Sequence, residues 1–426
     1  MNIGGVDQVL SEGFSKELVR QMRLIRINHG GGDIAQLSPE EINEIGQVVK
    51  SASKRIRKLH LGRSKGAAWC RAETKSLFRS RDFLTAAALI QSVKREQILG
   101  LEEARHLAEQ ARDLSIDESV QFELVPKASG GERTIVKHGP IKSIRNRALA
   151  LLVEAVSGPY EFEFCQFGRG GVHAAVERIG EGLVQGYRFW ITCDLTKAYP
   201  SVKLNHVKDI VPIHGELLKR VCFPPYLHSS ATNKDGGRPG LAEGASHSSK
   251  ILSAFTDGPL RQIGGDRKVL CYADNIAIGA RTIGDAKCAF KTLKNAMSVF
   301  MAGPIHLHAV TLCDGYQHSG HWQKGEFLMR RGVDFCQYRA SLDWQATEVR
   351  YRPNTLAFCR AKHRAFELLE GIYSPEIIRI ELDGYLEMWA RSFTLWQRTE
   401  LSTECLKQTR DRWLYEYLNG KLIDAA

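Results

Sequence analysis

Long hydrophobic runs are missing from this 426-residue chain: none approaches the roughly 20 apolar residues that a membrane-crossing helix requires, so no membrane partner is expected. The opening stretch, MNIGGVDQVLSEGF, lacks the basic region and apolar core of a secretory leader, and the expected location is the cytoplasm. The ten cysteines never fall in a C-x-x-C pair, which argues against a zinc ribbon or a disulfide framework and suits reduced thiols. Internal repeats and low-complexity tracts are absent too, so a solenoid is not expected. Negative charge is in deficit: 48 Asp and Glu stand against 59 Lys and Arg, a net charge of +11. Such a surplus points to a polyanionic partner, nucleic acid first, with an idle basic surface as the plain alternative. What is present is ordinary for a globular chain, 43% apolar and 25% charged, which excludes wholesale disorder. The length allows two or three domains, or one large composite one.

The first fifty residues read as helical with a break at Gly30, Gly31 and Gly32. No Gly-Lys-Ser follows that triplet, so it reads as a turn rather than a phosphate loop. Ser38, Pro39 and Glu41 form a helix start. From Lys50 to Lys65 there are seven Lys or Arg residues and no acidic one. Lys54, Arg55, Arg57 and Lys58 on this helix are candidates for phosphate backbones, against the alternative of a solvated face. Residues 83–113 read as one or two helices with Gly100 between them. After Ser115 the style changes to short β-branched and aromatic runs bounded by Gly and Pro, which predict strands separated by helices. After Leu342 the pattern is helical again. Asn354 and Thr355 open a helix with Phe358, Ala361, Ala365 and Leu369 on one face. Arg360, Lys362 and Arg364 fall largely off that stripe and are further candidates for nucleic-acid contact.

Three segments carry chemistry when taken together. In RFWITCDLTKAYPSV an apolar strand ends at Asp194, and Tyr199 follows. GRPGLAEGASHSSKILSAF is a Gly-rich loop that runs into a helix. KVLCYADNIAIGA is two apolar strands joined at Tyr272-Ala273-Asp274-Asn275, which puts Asp274 at a hairpin tip. Carboxylates from two separate elements, with substrate phosphates completing the shell, are how Mg²⁺ is commonly held. Two such ions activate an attacking 3′-hydroxyl and stabilise a leaving pyrophosphate.

In this order the segments resemble motifs A, B and C of reverse transcriptases. Asp194 stands at the motif A aspartate. Gly240, Leu241, Glu243, Gly244 and Ser248 stand at the motif B loop. Tyr272, Ala273, Asp274 and Asn275 stand at the Y-A-D-D hairpin. Upstream, VPKASGGERTIVKHGPIKSIRNRAL resembles the family's finger segments, with Lys127, Gly130 and Arg133, and CQFGRGGVHAAVERI resembles the segment after them. Downstream, RGVDFCQYRASL resembles the palm–thumb hairpin near Val333 to Tyr338. The match spans roughly residues 115–340.

The resemblance implies an α+β right-hand polymerase: fingers, a palm with an antiparallel sheet, a helical thumb and an N-terminal helical extension. The expected boundaries are 1–82 for the extension, 83–340 for fingers and palm, and 341–426 for the thumb. It implies an RNA-directed DNA polymerase that adds dNTPs to a 3′-hydroxyl. The metal would be Mg²⁺, with Mn²⁺ as the variant, held by Asp194, Asp274 and Leu195. Lys127, Arg133, Leu195, Tyr199, Glu243 and Gly244 would meet the incoming nucleotide, with Tyr199 as a steric gate against a 2′-hydroxyl. Expected partners are an RNA template, a DNA primer or product, and either a second copy or a partner protein.

Asn275 departs from the family's second aspartate. It keeps an oxygen and removes a charge. Glu243 replaces a glutamine and adds charge that Arg238 or Lys234 would offset. The stretch AGPIHLHAVTL lacks the lysine expected near Thr311, and His306 or His308 is a candidate for proton transfer there. His306, His308, Cys313, His318 and His321 are dense but fit no standard zinc spacing, which favours a plain His-rich strand or loop. No RNase H, His-Asn-His nuclease or integrase pattern is visible. The departures tilt the expectation toward bacterial reverse transcriptases of phage defence, which work with a non-coding RNA or an unusual template. Two alternatives stay open: an RNA-directed RNA polymerase, and a catalytically altered palm that binds RNA as a scaffold or effector.

Overall fold

In the computed structural model of the protein, the described residues are 39–94, 99–126, 132–158, 160–166, 169–228, 240–299, 305–316, 322–324, 327–342, 348–372, 374–396 and 401–424. Gly30 to Gly32, Ser38, Lys127, Gly130, Lys234, Arg238, His318 and His321 lie outside them, as does the side chain of Arg133.

The longer elements follow one another as helices, then mixed structure, then helices. First come α1 (Pro39–Gly62), α2 (Ala67–Phe78), α3 (Arg81–Lys94) and α4 (Leu101–Arg112). The strands β1 (Val120–Pro126) and β2 (Glu132–His138) precede α5 (Pro140–Ser157) and α6 (Gly171–Val184). Then follow β3 (Phe189–Leu195), α7 (Ser246–Arg261), β4 (Lys268–Tyr272), β5 (Asn275–Ala280) and α8 (Ile283–Ser298). The strands β6 (Leu307–Asp314), β7 (Trp322–Lys324), β8 (Phe327–Arg331), β9 (Val333–Phe335), β10 (Tyr338–Leu342) and β11 (Val349–Pro353) come next. The chain closes with α9 (Thr355–Leu368), α10 (Pro375–Arg391) and α11 (Leu401–Asp424). The fold is therefore mixed α+β, as expected, and Gly100 stands at the N-cap of α4, where a break was expected.

The chain packs into two compact units. One comprises Met1–Gly171, Leu195–Ile263 and Thr292–Leu307. Its centre is α5, buried from Lys142 to Val156 and packed against α1, α3, α4 and α7. A helix buried on every side must satisfy its polar groups internally. Arg145 does so by capping the end of α4. Its Nε donates to the Ala111 carbonyl at 2.9 Å, and its Nη atoms donate to Ile116 at 2.9 Å and Gln110 at 3.3 Å. The Gln110 and Ala111 carbonyls are among those that the end of a helix leaves without partners, and Ile116 lies in the segment that follows. Lys250 of α7 pairs with Glu154 of α5 at 3.2 Å, both side chains nearly buried. The β1–β2 hairpin is antiparallel in the register Val120↔His138 to Pro126↔Glu132.

The other unit comprises Val172–Asp194, Gly264–Lys291 and His308–Ala426. It holds a six-stranded sheet in the order β4-β5-β3-β6-β8-β7. Side chains alternate faces along a strand, and β3 uses both. Ile191 packs with Ala280, Ala286 and Leu312, with Ile283 and Phe290 of α8 against them. The next residue in the other direction, Trp190, is fully buried beside Gly182 of α6 and Gly279 of β5. A Cβ at Gly182 or Gly279 would lie 2.7 or 2.6 Å from the indole, so both positions need glycine. The pairings β4–β5 and β3–β5 are antiparallel. The pairing of β6 with β8 is parallel over Leu312–Asp314, a departure from an all-antiparallel sheet. It arises because β7, not β6, forms the antiparallel hairpin with β8.

A second, three-stranded sheet has the order β11-β10-β9. The β9–β10 turn at Cys336-Gln337 lies within the expected Val333–Tyr338 hairpin, with both residues at positive φ. The last helices have their own core of Ala361, Ala365, Leu369, Ile378, Leu382, Leu386, Trp413 and Tyr417. The expected stripe on α9 thus faces inward, and Asn354 caps the helix by accepting the Ala357 amide at 2.9 Å. Among the described residues, no helix is long and apolar enough to cross a membrane.

Candidate active site

The hairpin β4–β5 is apolar on both faces at its centre. Leu270, Cys271, Ile276, Ala277 and Ile278 are all buried. Such a strand pair is a rigid support, and its turn is the first place where the chain can show a polar group. Tyr272 pairs with Asn275, which leaves the two-residue turn Ala273-Asp274. Ala273 has φ 57°, a left-handed conformation that glycine ordinarily supplies in such turns. The Cys271 thiol donates to the Ala273 carbonyl at 3.3 Å and braces the turn from below.

The neighbouring strand β3 runs antiparallel to β5 with Asp194 opposite Asn275. The register therefore brings Asp194, Asp274 and Asn275 to one end of one sheet. Asn275 turns its amide nitrogen to Asp274, donating from Nδ2 to Oδ1 at 3.1 Å. Burial pushes the Asp194 carboxyl up to about 6, the Asp274 charge pushes it in the same direction, and His308 on β6 partly offsets both. Two carboxylates that raise each other's cost of ionisation are relieved by a cation. The donors are oxygens, which suits a hard divalent ion such as Mg²⁺. Among the described residues, no group of three or more His, Cys, Asp or Glu side chains gathers to hold a metal ion. A cation at this pair would complete its shell with other oxygens, such as water or a substrate phosphate.

His308 was one of two histidines expected near this site, and its charge is felt at Asp194. It is exposed on β6, and His306, exposed just before that strand, has a carbonyl that accepts the Thr196 amide at 2.8 Å. Cys313 is fully buried, further along the same strand.

The other expected contacts belong to the first unit. Tyr199 is half-buried in the short helix Ala198–Ser201, and its carbonyl accepts the Leu241 amide at 2.9 Å. A Cβ on Gly240 would fall 2.3 Å from the Pro200 carbonyl, so the loop packs directly on the Tyr199-Pro200 backbone. Glu243 is half-buried, and its carbonyl accepts the Val136 amide of β2 at 3.1 Å. Gly244 follows at φ 97°, with Val136 O 3.1 Å from where a Cβ would stand. The close approach that glycine permits here is thus to β2 itself. Ser248 donates to the Ala242 carbonyl at 2.8 Å and closes the loop onto α7. The structure therefore joins Tyr199, the Gly240–Gly244 loop and the strand that carries Arg133. Leu195, the last residue of β3, is buried.

Of the candidates for phosphate backbones, Lys54, Arg57 and Lys58 are exposed on α1, and Arg55 is half-buried. Arg360 and Arg364 are exposed on α9, with Arg364 paired to Glu367 at 2.9 Å. Lys362 is held internally by Glu416 and lies over the Phe366 ring. Two site features were not anticipated from the residues: the hydrogen bond between Asn275 and Asp274, and the left-handed Ala273. The first depends on side-chain direction and the second on turn geometry, and neither leaves a mark in composition or spacing. No protein-family model matches this chain, and no curated protein matches it.

Proposed function

We propose that the chain is a nucleotidyltransferase of the reverse-transcriptase kind, extending a 3′-hydroxyl with dNTPs on an RNA template. The observation that carries the reading is the pairing of Asp194 and Asp274 at one end of one sheet, with Asp194 held up to about 6 in part by Asp274. An isolated structural aspartate has no reason to sit, desolvated, against a second carboxylate. A pair that awaits a cation and a polyphosphate does.

In this reading Asp194 and Asp274, with Leu195 as a further ligand, would hold Mg²⁺, which would supply charge neutralisation at the reacting phosphate. The residues of the chain do the rest. Asn275 fixes the direction of the Asp274 carboxylate through its amide. His308, whose charge acts on Asp194, is the candidate for proton transfer. By the resemblance, Tyr199 and the Gly240–Gly244 loop would shape the sugar and base contacts, and Lys127 and Arg133 would meet the triphosphate.

Primer extension on an RNA template tests this directly. The wild type is expected to add dNTPs, and NTPs much more slowly, only with a divalent cation. Asp194→Asn and Asp274→Asn are each expected to lower the rate on the order of a thousandfold while the fold persists by circular dichroism. A folded double variant with undiminished synthesis would refute the proposal. A preference for NTPs would instead select an RNA-directed RNA polymerase.

A further inference from the structure

A cavity of about 610 Å³ lies in the second unit, away from Asp194 and Asp274 in the sequence and built from other elements. Its volume falls within the usual range for small-molecule sites. It opens to solvent, and three elements border it. The first is the face of the β10–β11 pair. Arg339 stands opposite Arg352 and Ser341 opposite Arg350, so these four side chains share one side of the sheet. The second is the start of α9, with Asn354, Thr355 and Phe358. The third is one face of α11, where Glu404, Gln408 and Arg412 recur at intervals of one helical turn.

The charges on these walls do not cancel. Arg339 is committed to Asp334 through two bonds, at 2.6 and 2.7 Å. Arg350 and Arg352 form no ion pair among the described residues. Arg412 reaches Glu416 only at 4.0 Å, and that carboxylate is also engaged by Lys362. Arg350 and Arg352 are both exposed along β11, and Arg352 faces Arg339 across the strand pair while Asp334 offsets part of that repulsion. An anion seated between Arg350, Arg352 and Arg412 would meet three exposed guanidinium groups, and guanidinium forks match phosphate oxygens in pairs.

The remaining lining is not phosphate-like. Trp396 is buried, and its ring meets Phe358 edge-on at 5.9 Å. Gln408, Thr409, Ser341 and the carboxylate of Glu404 supply donors and acceptors. Glu404 repels bare phosphate but accepts hydrogen bonds from hydroxyl or amino groups. A cavity with cations on two facing walls, and aromatic and polar groups beside them, suits a ligand with a charged head and a hydrogen-bonding body.

We propose that this cavity binds a small phosphorylated ligand of the mononucleotide class, through Arg350, Arg352 and Arg412. The site uses none of the residues assigned to polymerisation, so the two readings stand or fall separately. Calorimetric titration of the full chain with AMP, ATP and inorganic phosphate tests it, in EDTA so that the carboxylate pair holds no cation. AMP or ATP is expected to bind at least tenfold more tightly than phosphate. Arg350→Ala with Arg352→Ala is expected to weaken nucleotide binding at least tenfold. Arg412→Ala, on the facing helix, is expected to weaken it as well and serves if the sheet variant fails to fold. Asp274→Asn is expected to leave binding in EDTA intact. The proposal is overturned if nucleotides do not bind in EDTA, if phosphate binds as tightly as AMP, if only an oligonucleotide binds, or if folded arginine variants bind like wild type.

Discussion

At the scale of single residues, the carboxyl of Asp194 makes stability depend on pH in a definite sense. Its folded value of about 6 lies above the ordinary 3.8, so the native state holds this proton more tightly than the unfolded chain. The stability it contributes is complete below about pH 4 and is lost as pH rises through about 6, on the order of 2 kcal/mol once solvent screening is allowed for. In metal-free buffer the contribution of this group to the melting temperature should therefore decline from pH 4 to pH 7. Mg²⁺ should restore it at pH 7, and Asp194→Asn should abolish both effects. Thermal unfolding of the two proteins across that window, with and without Mg²⁺, measures the difference, and identical profiles would remove the carboxylate pair as a cation site. Asn275→Asp follows the same logic. It replaces the donor that holds Asp274 with a second negative charge. The variant should melt lower than wild type without metal, gain more from Mg²⁺, and retain or raise synthesis. Loss of all synthesis would assign Asn275 a role beyond holding Asp274.

At the scale of elements, the strand–turn–strand unit around Asp274 was legible because its apolar runs and its turn are local. The same holds for α9, whose stripe and Asn354 cap can be read from adjacent residues. The parallel pairing of β6 with β8 and the capping of α4 by Arg145 were not legible, because each joins segments whose partnership is set only by tertiary packing. The seam between β5 and α6 is of this second kind and makes a clear prediction. Gly279→Ala places a methyl group 2.6 Å from the fully buried Trp190 ring. The expected cost is about 1–3 kcal/mol. The urea midpoint should fall accordingly, and an unchanged midpoint would show that the sheet core is looser than its packing implies.

At the scale of the whole molecule, the surplus of +11 acquires addresses. Lys54, Arg57 and Lys58 project from α1 into solvent, Lys58 with Glu73 only at 4.0 Å, whereas Lys362 is tied to Glu416. Changing the three α1 cations to alanine should lower the salt-dependence slope of nucleic-acid binding by about 2–3, as expected for that many lost phosphate contacts. Lys362→Ala should change the slope less than Arg360→Ala. Filter binding across a salt series reads both. Equal slopes for wild type and the α1 variant would make that helix a solvated face and return the surplus to an idle surface.

The indole of Trp190 is wedged between two glycines that come from different elements and lie far apart in the chain. Such an arrangement makes inheritance collective. A larger residue at either glycine position is tolerated only together with a smaller ring at position 190, and a smaller ring leaves a void that one of the glycines must fill. The three positions should therefore drift as a set among descendants of this chain, and a lineage that altered one of them alone would carry a mispacked sheet beneath its acidic pair.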